Sequence, residues 1–118
     1  KCWRLVGSKS GLGGFASILR AYCDDSRNAE LSEHDHYGPY MYLKVMTWSE
    51  AGLDGNSIHG TLDDLNHLAE LIDTALLGAQ PGDTIHLGHK YVSDSDHDLL
   101  LIVKDDDFDP AGADPCLA

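Results

Sequence analysis

The chain has 118 residues, 42% of them apolar and 24% charged, which is the composition of one folded domain and excludes a disordered segment. Twenty acidic residues against eight basic ones give a formal net charge of −12, a balance that excludes a phosphate-gripping nucleic-acid binder. No apolar run approaches the roughly 20 residues of a membrane-spanning helix, and no basic-then-apolar leader opens the sequence, so no membrane contact is expected.

The first predicted strand is Cys2–Gly7, where Trp3 and Leu5 alternate with Arg4. Ser8 or Ser10 is placed to cap a helix whose apolar positions Leu12, Phe15, Ile18, Leu19 and Tyr22 recur at spacings of three and four. The Asp24-Asp25-Ser26 cluster ends it. A short strand around Asn28–Glu33, a loop through Tyr37-Gly38-Pro39 and a strong strand at Tyr40–Trp48 follow. In that strand Met41, Leu43 and Val45 share one face, and Tyr42 and Lys44 the other.

After a turn at Gly52–Gly55 the order begins again with a strand at Asn56–Gly60. Thr61, with Asp64 three residues on, marks a capping box, and Leu62, Leu65, Leu68, Leu71, Ile72, Ala75 and Leu76 form one helical face closed by Gly78. Asp83–Tyr91 alternates as a strand. Asp98–Lys104 is apolar on both faces, the mark of a central strand.

The strand and helix of each half superimpose at a constant offset: Gly7 falls on Gly60, Ser8 on Thr61, Leu12 on Leu65, Phe15 on Leu68 and Leu19 on Ile72. Later strands align after small loop insertions, with Leu31 on Leu87 and Val45 on Val103. The expected fold is therefore α+β: one domain over 1–118 with an internal duplication (1–52 and 53–110) and a loose acidic tail at 111–118. Two βαββ units would form a single mixed or antiparallel sheet of six strands, with two helices on one face.

Three cysteines, Cys2, Cys23 and Cys116, at unrelated spacings argue against a disulfide scaffold and fit a cytoplasmic location. The absent initiator Met reads as a trimmed or processed start. Charge is unevenly spread. Residues 1–52 balance six acids with six bases, whereas 53–118 hold fourteen acids against only Lys90 and Lys104. Such a half attracts a basic partner.

Catalytic patterns are sparse. Seven His include His34-Asp35-His36 and the pair His86 and His89, but no HExxH-like spacing gathers three ligands. Gly7–Gly14 lacks the order of a phosphate loop, and Asp94-x-Asp96-x-Asp98 lacks the Gly and Glu of a calcium loop. We assign no catalytic residue, no metal and no cofactor. The alternative is a small metal-assisted hydrolase using the His and Asp clusters.

The run Asp105-Asp106-Asp107-Phe108-Asp109-Pro110 sets one aromatic among four carboxylates after a very apolar strand. With Asp94, Asp96 and Tyr42, the residues Asp105, Asp106, Asp107 and Phe108 are the candidate partner contacts, although Phe108 reads first as an anchor on the core edge. The stretch SIHGTLDDLNHLAELIDTAL with the following strand pair and DDDFDP resembles the immunity proteins of bacterial polymorphic toxin systems, the type called immunity protein 32. The resemblance is best over 56–110, and Asp107 and Phe108 match that family's characteristic Asp and Phe. It implies an α+β protein that neutralises a cognate toxin by direct binding, without catalysis. A basic nuclease is the target class that the charge favours.

Overall fold

The computed structural model describes residues 2–28, 32–34, 43–54, 57–88, 90–92, 98–108 and 116–117. Strand β1 (Cys2–Ser8) runs directly into helix α1 (Lys9–Asp24), because Ser8 both ends the strand and caps the helix. Its extended backbone (ψ 162°) lets the hydroxyl accept from the Gly11 N–H at 3.0 Å. A 3-10 turn (Ser26–Asn28) leads to β2 (Ser32–His34), β3 (Lys44–Thr47), β4 (Gly52–Asp54) and β5 (Ser57–Gly60). Helix α2 (Leu62–Leu76), β6 (Thr84–Gly88), β7 (Asp98–Lys104) and β8 (Cys116–Leu117) complete the chain.

Both bonds of the expected capping box are present at the start of α2. The Asp64 N–H donates to Thr61 Oγ1 at 3.1 Å, and the Thr61 N–H donates to Asp64 Oδ2 at 3.0 Å. Gly78 takes the left-handed conformation (φ 76°) just beyond the helix end, which a residue with a Cβ adopts only under strain. Thr61→Ala should cost about 1 kcal/mol and lower the melting temperature by about 4 °C. An unchanged melting curve would mean that tertiary packing alone holds this helix start.

The α+β class is as expected, with two helices, but the strands divide differently. Among the described residues eight strands make two four-stranded sheets, in the orders β6-β7-β1-β8 and β2-β3-β5-β4, and not one six-stranded sheet. Each has the same design. A central strand (β1 or β5) lies parallel to one neighbour (β7 or β3) and antiparallel to the other (β8 or β4), and a hairpin partner closes the far edge. Each sheet takes the strand before one helix and the hairpin after the other helix.

That exchange explains the difference. Pattern alone reports that each strand has one apolar face and is silent on which half of the chain its partner comes from. Two one-sided sheets and two one-sided helices can all turn inward on one core, whereas one broad sheet would leave a whole face wet. The ladders also correct the strand alignment. Gly7 lies opposite Val103 and Gly60 opposite Thr47, so Thr47, not Val45, holds the place that Val103 holds in the other sheet.

One cluster of buried residues joins both sheets: Trp3 and Leu5 of β1, Leu101 and Val103 of β7, Val45 of β3, Leu53 of β4 and Ile58 of β5. Leu12, Phe15 and Leu19 of α1 and Leu65, Leu68 and Ile72 of α2 fill it from the helices, which pack on each other. β7 is buried on both faces at Leu99–Leu101 and sits between β6 and β1, as its apolar run requires. Arg20 meets Asp73 across the helix pair at 2.6 Å, but both side chains are nearly half exposed and the bridge is worth little. Two short strands escape a pattern reading. β4 lies where a turn was expected, and β8 lies in the segment expected to be a loose tail, of which 111–115 and 118 fall outside the described residues.

Candidate partner-binding surface

The acidic run stands at the end of an interior strand of the first sheet. β7 ends at Lys104, and the Phe108 N–H donates to the Asp105 carbonyl at 3.0 Å, folding the run into a tight turn. Asp105, Asp106 and Asp107 are all exposed, and Phe108 is half-buried. The base of the turn is firmly held. The Gly82 N–H donates to the Val103 carbonyl at 2.8 Å, and the Val103 N–H donates to the Asp83 carbonyl at 2.9 Å. A shallow groove of about 380 Å³ runs alongside, lined by Pro81, Gly82, Thr84, Ile102, Lys104 and Asp105. The other expected contacts, Tyr42, Asp94 and Asp96, lie outside the described residues.

A second surface was not singled out from the sequence. Trp48 follows β3 with 45% of its area exposed, and the only other exposed large apolar side chain among the described residues is Leu77. Its position is fixed by its backbone N–H, which donates to the Gly60 carbonyl at 2.8 Å. Met46, Trp48, Ser57 and His59 line a groove of about 170 Å³ on the outer face of the second sheet. The His59 ring lies across Gly52, where any Cβ would collide with it, and its Nδ1 is 3.0 Å from the Glu50 carbonyl. The signal was available: extending the alternation of buried Val45 and Thr47 by one step points Trp48 outward.

A third depression, about 260 Å³, separates α2 from the edge strand β6. Leu71, Ala75, Ile85 and Leu87 form its floor, and His67, Glu70, His86 and Lys90 its rim. Nδ1 of His86 stands 3.5 Å from Asp98 Oδ2. Among the described residues no group of three or more His, Cys, Asp or Glu side chains converges as metal ligands do. His36 and His89 lie outside those residues, and His34 is placed in β2 by its backbone.

Cys2 and Cys23 are free thiols. Burial, and then the nearby carboxylates of Asp24 and Asp63, push the Cys23 thiol up to about 11. Its Sγ–H donates to the Leu62 carbonyl at 3.4 Å, which suits a neutral thiol and not a nucleophile. Cys23 should therefore react with iodoacetamide at pH 8 about 100-fold more slowly than an unhindered peptide thiol. Mass spectrometry of the labelled peptides over time checks this, and equal rates would show an activated cysteine. Burial likewise pushes the Tyr91 phenol strongly upward, aided by Asp64, while its O–H donates to the His59 carbonyl at 2.6 Å.

Compared with family models, with curated proteins and with solved structures, the chain matches none. Among the described residues no helix is long and apolar enough to cross a membrane.

Proposed function

We propose that this chain is a non-catalytic inhibitor of the immunity-protein kind, which binds a basic bacterial toxin directly and needs no cofactor. The observation that carries the reading is the exposed carboxylate turn Asp105–Asp107 beside half-buried Phe108, on the half of the chain that holds all of the net negative charge. Three clustered charges and one aromatic are the ingredients of an interface in which long-range attraction brings a basic partner in and an apolar contact retains it. A nuclease is the favoured target class, because an enzyme that grips phosphates presents a cationic site that carboxylates can occupy.

The test is direct. The product of the gene adjacent to this one, co-expressed with it, should co-purify as a stable complex and lose its toxicity to the host cell. Failure of a folded, toxic neighbour to bind would remove the immunity reading.

A further inference from the structure

The outer faces of the two sheets differ in chemistry at corresponding positions. Where the first sheet has Arg4 and Lys104, the register places Ser57 and Trp48 in the second; where the first has Val6 and Ile102, the second has His59 and Met46. The first face mixes Arg4 and Lys104 with aliphatic side chains, and the second carries Lys44 together with an indole, a thioether and an imidazole around a groove.

The imidazole's hydrogen-bonding state follows from its neighbour. A carbonyl only accepts, so the bond to the Glu50 oxygen places the proton of a neutral His59 ring on Nδ1 and leaves a lone pair on Nε2. Gly52 is what allows the ring to lie where it does. At about 170 Å³ the groove is smaller than metabolite pockets, which run from roughly 300 Å³, and it has room for about one long side chain. The net charge of −12 favours cationic visitors. Lys44, on the same sheet face, is already engaged within the chain.

We propose that the Met46–Trp48–His59 groove receives an arginine side chain from a basic protein partner. A guanidinium stacks on the indole face, its aliphatic stem lies along Met46, and one of its N–H groups donates to His59 Nε2. This assignment rests on the reading of the chain as a binder of a basic protein, and it names an anchor point separate from the acidic turn.

The experiment titrates the full ¹⁵N-labelled chain with the capped peptide acetyl-Gly-Arg-Gly-amide and with its neutral citrulline counterpart. The Trp48 indole N–H resonance should move while that of fully buried Trp3 stays in place. Citrulline, and the His59→Phe variant with the Arg peptide, should bind at least about tenfold more weakly. Equal binding of citrulline, or movement confined to the amides of Asp105–Asp107, would overturn the assignment. So would a Trp48 resonance that shifts with protein concentration alone, since a second copy would then fill the groove. None of these readouts needs the toxin, so they stand apart from failure of the immunity reading. Against a co-purifying neighbour protein, Trp48→Ala should weaken binding about 30-fold, and undiminished affinity would place the interface elsewhere.

Discussion

Thr47→Val should destabilise the fold by about 2–4 kcal/mol, although the two side chains are nearly the same size. Thr47 is 4% exposed, and its single hydroxyl proton is committed to the Asn28 carbonyl at 2.7 Å. The Tyr22 hydroxyl, 2.9 Å away, must therefore be the donor to Thr47 Oγ1. Asn28 Nδ2 in turn donates to the Tyr22 carbonyl at 2.9 Å, closing a loop of bonds that ties α1, the turn after it and β3 together. Valine removes an acceptor and a donor at once from a buried site, where each lost partner costs about 1–3 kcal/mol. Thr47→Ser keeps the hydroxyl and should cost about 1 kcal/mol, and Tyr22→Phe should fall between the two. Because the bonds are chained, the double variant Tyr22→Phe/Thr47→Val should lose clearly less than the sum of the single losses. Urea unfolding of the parent and the four variants measures this. A Thr47→Val protein destabilised by less than about 0.5 kcal/mol, the size of an ordinary surface change, would mean the network adds nothing.

That network also shows where sequence reading stops. Helix bounds were legible because their signals are local: Ser8 and Thr61 accept the bonds their positions promised, and Gly78 turns left-handed on schedule. β7 announced its central place by being apolar on both faces, and its bounds, Asp98–Lys104, are those the pattern predicts. The division into two sheets was hidden because a strand's period-2 pattern is the same whichever strand lies beside it. β4 and β8 are too short for any pattern to register. Thr47 carries no local signal of its role, since its partners Tyr22 and Asn28 are distant in the chain.

The candidate site divides the same way. An unbroken run of aspartates after an apolar strand has nowhere to go but into water, so the exposure of Asp105–Asp107 was foreseeable. The groove at Trp48 was harder to foresee, because it needs the lateral neighbour His59, whose place opposite Met46 is set by the β3–β5 register. Phe108 is half-buried at the end of the acidic turn, a burial that decides neither for a core-edge anchor nor for a partner contact.

On the proposed function, neutralising the acidic turn should slow association with the basic partner about tenfold or more at low salt while leaving dissociation nearly unchanged. Asp105, Asp106 and Asp107 are exposed, so replacing all three with Asn costs little stability, and any change in binding reports on the interface. Their charges act over a Debye length of about 8–10 Å, at the stage when the partners are approaching but not yet touching. Raising the salt should therefore slow the intact protein and bring it towards the rate of the Asn variant. Phe108→Ala should act at the other stage. A contact that is desolvated only in the complex governs release, so dissociation should quicken about 5–30-fold with association unchanged. The two effects are separable in stopped-flow or surface-plasmon measurements against the adjacent gene's product at two ionic strengths. Since Phe108 is half-buried in the free chain, its variant needs a melting curve alongside: a large loss of stability would return Phe108 to the role of core-edge anchor. Salt-independent association of the intact protein would defeat the electrostatic argument, and the choice of a nuclease as target would fall with it.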